Sequence, residues 1–195
     1  LQSIVLEPVG RNTAPALTCA ALLDARDGED SLLLMMPADH LIKDPEAFDN
    51  AVVTGSRLAD DGVLVAFGVV PDKPETGYGY IQVGDSLAVE GLASNSIVAF
   101  KEKPNLTTAT EYLESGNYRW NAGIFLMRTS TWLEAVAEFN PQMLFACESS
   151  TNGAARDGEF LRLDKDAFEA CPSNSIDYAV MEHTTHTLLV GESAT

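Results

Sequence analysis

The chain has 195 residues, 46% of them hydrophobic, and no apolar run of about 18 residues, so it can bury a sizeable core and reads as one soluble domain rather than a membrane span. Its formal net charge of −17 repels nucleic acid and anionic membranes, and no basic cluster offsets it. A small anionic ligand therefore needs local help from a metal or a few placed cations.

Near the N-terminus, Ile4 to Leu6 reads as a short strand, followed by Glu7-Pro8-Val9-Gly10-Arg11-Asn12-Thr13-Ala14-Pro15 and an alanine- and leucine-rich helix to about Arg26. Asn12 or Thr13 can cap that helix, and Pro15 is tolerated in its first turn. Free N–H groups there, with Arg11 beside them, suit an anion; ordinary capping plus a surface arginine explains the same residues.

Ser31 to His40 is an unbroken apolar run ending in Pro37-Ala38-Asp39-His40, the pattern of a strand buried on both faces. In open α/β sheets ligands bind at the C-terminal strand edge, where Asp39 can serve a metal or phosphate, or cap the next segment. Asp44-Pro45-Glu46 opens a second helix with an apolar stripe at Phe48, Val52, Val53 and Leu58, and Val63 to Val70 is another strand. This alternation predicts parallel pairing through right-handed crossovers.

Gly77 and Gly79, in Pro71 to Tyr80, are turn residues or places where a ligand approaches the backbone; short strands at Ile81 to Val83 and Leu87 to Val89 follow. Ser96 to Lys103 is a strand closed by Pro104, in which alternation turns Glu102 away from Lys101 and Lys103. Its end is either a solvated edge or a pair of groups for sugar hydroxyls and phosphate. Thr107 to Ser115 reads as a helix, and an apolar strand begins after the small-residue turn Asn121-Ala122-Gly123. Helices then start at Thr129 or Ser130 and at Pro141, Asp157 to Leu163 is a polar connection, and residues 176–182 are helical. His183 and His186 have a spacing that can ligate metal, but no further ligand accompanies them, so they read as a surface pair.

Cys19, Cys147 and Cys171 lack ligand spacing, which points to reduced thiols in a cytoplasmic protein. The first residue is Leu1, with a strand pattern almost at once, and a further strand pattern over residues 186–190 lies close to the last residue; these features suggest a fragment of a longer protein.

Six ordered stretches resemble those of mannose-1-phosphate guanylyltransferases: Glu7-Pro8 with Arg11 to Pro15, Pro37 to His40, Glu75 to Ile81, Phe100 to Pro104, Trp120 to Phe125 and Ser175 to Tyr178. The resemblance implies a three-layer α/β/α, Rossmann-like nucleotidyltransferase fold with a mixed, mainly parallel sheet. It implies transfer of GMP from GTP to mannose 1-phosphate with Mg²⁺ as cofactor. By that likeness Asp39 binds the metal, Gly79, Glu102 and Asn121 face the mannose, Lys103 faces its phosphate, and Glu7, Arg11 and Asn12 lie on the nucleotide side. Residues 1–195 would then be a partial domain without the family's glycine-rich loop strand, since no two of the 14 glycines are adjacent, and without its later metal-binding segment. Such a fragment is expected to be inactive, with unpaired strand edges that favour a homo-oligomer or strand-exchanged dimer. Another nucleotide and sugar 1-phosphate, or a noncatalytic sugar-nucleotide sensor, are the alternatives.

Overall fold

The structure, a computed structural model, describes residues 3–26, 28–89, 92–184 and 187–191. Its elements are β1 (Ile4–Leu6), α1 (Thr13–Arg26), β2 (Leu32–Met35), α2 (Pro45–Asp60), β3 (Leu64–Val69), β4 (Gly79–Val89) and β5 (Leu92–Glu102). There follow α3 (Leu106–Ser115), β6 (Tyr118–Arg128), α4 (Thr129–Phe139), α5 (Pro141–Asn152), β7 (Ala155–Asp157), β8 (Phe160–Arg162) and α6 (Lys165–Glu169). A π-helical turn at Asp177–Met181 and β9 (Thr187–Gly191) complete them. The chain divides into two compact units, residues 1–31 with 129–184 and residues 32–128 with 185–195. No linker marks the division in the sequence, because each unit is assembled from separated stretches.

In the first unit, α1 packs on α4 and α5, and β1 joins the β7–β8 hairpin in a three-stranded sheet, parallel to β8. That hairpin occupies the stretch read as a polar connection; its strands have three residues each, too short for a hydrophobic pattern to register. At the C-terminal part of α1, the Asp24 carboxylate accepts hydrogen bonds from Ser31 N (3.1 Å), Ser31 Oγ (2.8 Å) and Thr129 Oγ1 (2.6 Å). The first turn of α4 is satisfied nearby, Thr129 N donating to the Ser31 carbonyl and Ser130 N to Asp30. Burial pushes the Asp24 carboxyl up, but the hydrogen bonds from Thr129 and Ser31 outweigh it and hold it below its ordinary value. A depressed carboxylate stabilises the fold above its unfolded-state pKa, and that stabilisation is lost as pH falls through the folded value. Asp24→Asn is therefore expected to weaken the fold at neutral pH and to remove part of its acid-induced loss. Ellipticity followed from pH 7 downward checks this, and an unchanged acid limb would assign the Asp24 carboxylate no role.

In the second unit, six strands are ordered β2-β6-β3-β9-β5-β4, with a further β4–β6 pairing. The sheet is mixed, as the sequence implied, but the expected parallel majority is corrected: among the described residues β3–β9 is its one parallel pairing. The strands β2 and β3 do not pair with each other; β6 runs antiparallel between them. The alternation of apolar segments reports element type, whereas the intervening partner comes from far along the chain. The expectation for Leu32 to Met35 changes too, since β2 lies at a sheet end and Leu34 is exposed.

Helix α2 begins as its composition dictates: Asp44 caps it, Oδ1 accepting from Ala47 N at 3.0 Å, and Pro45 occupies a first-turn position that has no intrahelical N–H partner. Its apolar side, including Phe48, Val52 and Leu58, packs with Val65, Phe67, Ile124, Leu126 and Val190. Asn105 caps α3 in the same manner, accepting from Thr108 N at 3.0 Å. Strand β6 begins at Tyr118, so Asn121-Ala122-Gly123 is not a turn before the strand. Gly123 lies inside it at φ 64°, close to where the β3–β6 register shifts, and glycine accepts that left-handed backbone without Cβ strain.

Candidate active site

Four of the residues singled out in the sequence converge within the second unit. Gly79, the first residue of β4, is the register partner of Glu102, the last of β5. A Cβ at position 79 would stand 2.7 Å from Glu102 Oε2, 3.4 Å from Asn121 Cβ and 3.7 Å from Asn121 Nδ2. Glycine at 79 is thus what lets the Glu102 carboxylate and the Asn121 amide share one space. Asn121 Oδ1 also accepts from Gly123 N at 3.0 Å, so the β6 irregularity holds the amide.

Lys103 departs from the simple strand reading. Its φ is 43°, in the left-handed region, and its Nζ lies 3.5 Å from Glu102 Oε1. Strand alternation would have sent the two side chains apart; the left-handed residue just past β5 ends that alternation and returns the ammonium to the carboxylate. Both groups remain open to solvent, so the pair contributes little stability and leaves its charges accessible to a ligand. Strain of this kind in a non-glycine residue is characteristic of sites where geometry is selected for binding.

Two hydrogen bonds hold the loop before Gly79, and neither was anticipated from the sequence. The fully buried Tyr80 donates its hydroxyl to the Glu75 carbonyl at 2.8 Å, and Lys103 N donates to the Tyr78 carbonyl at 3.2 Å. The alternating Gly-Tyr-Gly-Tyr spelling carried a signal for the first, because a buried tyrosine hydroxyl requires an acceptor. Tyr78 also meets Trp120 edge-on, with ring centroids 5.3 Å apart.

Asp39 lies on the exposed turn beyond β2, and its carboxylate has neither a hydrogen bond nor an ion pair with another described residue. Pro37 of the same segment passes Gly123, its Cγ 3.6 Å from where a Cβ would stand there. Asp44, rather than Asp39, caps the next helix, which removes the capping alternative for Asp39. Among the described residues no three His, Cys, Asp or Glu side chains gather to hold a metal, so a Mg²⁺ ion here would need waters and substrate phosphates beside the single Asp39 carboxylate.

The remaining candidates belong to the first unit. The Glu7 carboxyl accepts the backbone N–H of Arg11; desolvation by the surrounding protein raises its pKa against that hydrogen bond. Asn12 is left-handed at φ 71°, and its Oδ1 accepts from Thr13 N at 2.9 Å. Ala14 N donates to the Asn174 carbonyl at 3.1 Å, and Pro15 has no N–H. The first-turn donors of α1 read as free for an anion are therefore engaged at Thr13 and Ala14. Arg11 donates from its guanidinium to the Glu169 carbonyl, a contact 158 residues distant that no local pattern announces.

His183 packs on Phe139, with Nε2 3.1 Å from the Tyr178 carbonyl; His186 lies outside the described residues. Among the described residues no helix is long and apolar enough to cross a membrane.

A mixed sheet gathering a carboxylate, an amide and a cation around a glycine agrees with the comparisons to known proteins. The nucleotidyl transferase family model matches residues 2–167, and the chain belongs to that family. It is 50% identical over 188 residues to the xanthan biosynthesis protein XanB of Xanthomonas campestris pv. campestris (strain B100), covering 96% of this chain and 39% of that protein. It is 45% identical over 192 residues to a mannose-1-phosphate guanylyltransferase of Klebsiella pneumoniae, with coverage of 98% and 41%. Among solved structures, one described as mannose-6-phosphate isomerase from Helicobacter pylori matches with a TM-score of 0.84 at 32% identity, covering 99% of this chain and 73% of that one. The chain spans about two-fifths of the length of these curated relatives.

Proposed function

We propose that the full-length protein transfers GMP from GTP to mannose 1-phosphate, giving GDP-mannose and pyrophosphate. The observation that carries this reading is the cluster of Gly79, Glu102, Lys103 and Asn121, where an acceptor pair and a cation border a backbone stripped of side chain. Membership of the nucleotidyl transferase family and likeness to a protein described as a mannose-1-phosphate guanylyltransferase supply the reaction and substrates.

In this reading the Glu102 carboxylate accepts from two neighbouring sugar hydroxyls and the Asn121 amide adds a further polar contact, which fixes the sugar. Lys103 neutralises the phosphate as a point charge. A phosphate oxygen of mannose 1-phosphate forms a bond to the α-phosphorus of GTP as the bond to the β-phosphate bridge breaks, and pyrophosphate leaves. Little proton transfer is needed, so catalysis rests on alignment and charge stabilisation. Mg²⁺, for which Asp39 is the ligand in this chain, supplies charge neutralisation at the phosphate oxygens when bound. Glu7, Arg11 and Asn12 serve the nucleotide side in the same proposal. The protein works in the cytoplasm, with no nucleic-acid or membrane partner; a second copy of the 195-residue chain, whose β2 lies at a sheet end, would pair or exchange strands at that edge.

Glu102→Gln tests the assignment in the full-length protein, because it keeps the side-chain volume but turns one acceptor oxygen into a donor. The KM for mannose 1-phosphate should rise ~10-fold or more, the scale of a hydrogen bond lost to a charged group, with a smaller change for GTP. Equal changes in both would make Glu102 structural. A nucleotide panel run beside it should favour GTP; preference for UTP or dTTP would overturn the nucleotide assignment, and no turnover with any would favour a sensor.

A further inference from the structure

Three cysteines that are far apart in sequence meet in the first unit. Cys19 comes from α1, Cys147 from α5 and Cys171 from the segment just after α6, and they are 1%, 0% and 2% exposed. All three are free thiols. The Cys147 and Cys171 sulfurs are 3.8 Å apart, and Cys147 Sγ also lies 3.8 Å from the Pro15 carbonyl. None of them belongs to the proposed sugar site.

We propose that Cys147 and Cys171 are a modification site, a thiol pair that a hydroperoxide converts to a reversible disulfide. In the first step one sulfur, as thiolate, attacks the peroxide; the O–O bond breaks, the sulfur becomes a sulfenic acid and the oxidant leaves as an alcohol or water. In the second, the other thiol gives up its proton and attacks that sulfur, the S–S bond forms and water leaves. Two electrons and two protons pass from the thiols to the peroxide, and a dithiol reductant reverses the process.

The structure sets the pace of each step. Burial withholds both sulfurs from solvent. The Cys171 contact pulls the Cys147 thiol down, but the Cys19 contact and burial push it up more, and Cys171 is raised by its contact with Cys147 and by burial. Thiolate is scarce and the first step slow. The second is fast, because the resolving sulfur is already in contact. Closure from 3.8 Å to the ~2.05 Å of an S–S bond requires the two sulfurs to approach by rotation of their side chains or a shift of the backbones that carry them. Cys147 sits within the twelve-residue α5, and Cys171 just past the five-residue α6, its N–H donating to the Phe168 carbonyl at 3.1 Å. The consequence is protection, since a sulfenic acid captured at once does not proceed to irreversible sulfinic acid.

Trypsin, cutting after Arg and Lys, places the three cysteines on separate peptides beginning at Asn12, Thr129 and Asp166. The folded full-length protein is treated with hydrogen peroxide, denatured, blocked with N-ethylmaleimide and mapped without reduction. The expected main oxidised product links the Thr129 and Asp166 peptides and disappears with dithiothreitol. In Cys171→Ser, the linked pair should vanish and oxygen adducts or a link to the Asn12 peptide should appear on Cys147. The proposal is overturned if Cys147 and Cys171 stay fully alkylatable after prolonged oxidation, if wild-type protein accumulates sulfinic acid on either, or if the main link joins Cys19 to Cys147. The wild-type map decides the matter even where a variant folds poorly.

Discussion

Asp39→Asn in the full-length protein is expected to lower turnover at least ~10²-fold, the scale seen when a placed electrostatic stabiliser is removed, or about 2.7 kcal/mol of barrier. Asp39 supports nothing else in the described fold. Its carboxylate is exposed and bonded to no other described residue, so the amide, nearly identical in shape, disturbs no packing and no cap. Thermal stability should therefore stay within about 0.5 kcal/mol of wild type, as at other surface positions. Initial rates of pyrophosphate release across a Mg²⁺ titration, with a melting curve in parallel, separate the two effects. Wild-type turnover at saturating Mg²⁺ would falsify the metal-ligand role, and a large drop in melting temperature would make the residue structural.

Trp132→Ala is expected to destabilise the first unit by about 3–5 kcal/mol, the range for truncating a large buried aromatic. Trp132 on α4 is fully buried, and its Nε1 donates to Thr18 Oγ1 on α1 at 3.1 Å. Thr18 in turn donates to the Ala14 carbonyl at 2.8 Å. The truncation empties the space between the two helices and removes the indole–hydroxyl hydrogen bond across it. A typical domain is stable by only about 5–15 kcal/mol, so the loss is a large share of the total. Trp132→Phe keeps most of the apolar volume and should cost much less. Urea midpoints by ellipticity check both variants, and a loss below 1 kcal/mol for the alanine variant would show that the α1–α4 contact re-forms around the void.

The start of α2 was readable because its chemistry is local: Asp44-Pro45 announces a helix within four residues of itself, and the structure places Asp44 at the N-cap; the Asn105 cap of α3 was not read from the sequence. Gly79, Glu102, Lys103 and Asn121 could be chosen from the sequence by residue type and by resemblance. What brings them together could not be read, since it depends on the β4–β5 and β4–β6 registers. Local pattern misled at Lys103, where alternation presumes a continuing strand and one left-handed residue ends it. It misled again at Leu32 to Met35, because an apolar run does not report whether its strand is central or at a sheet end. Arg11 and the cysteine contact share a different obstacle, as their partners lie 158 and 24 residues away in sequence.

The first unit is built from residues 1–31 and 129–184, with the whole of residues 32–128 made between them. Helix α1 therefore emerges from the ribosome well before α4 and α5, against which Leu17, Cys19 and Ala21 are buried in the finished fold. At roughly 5–20 residues per second, that apolar stripe waits on the order of 5–20 s for its partners. Closing so long a loop adds little entropic cost beyond that of a shorter one, so the delay comes from synthesis rather than from thermodynamics. During that interval the apolar residues of α1 have none of the later helices of their own unit to cover them.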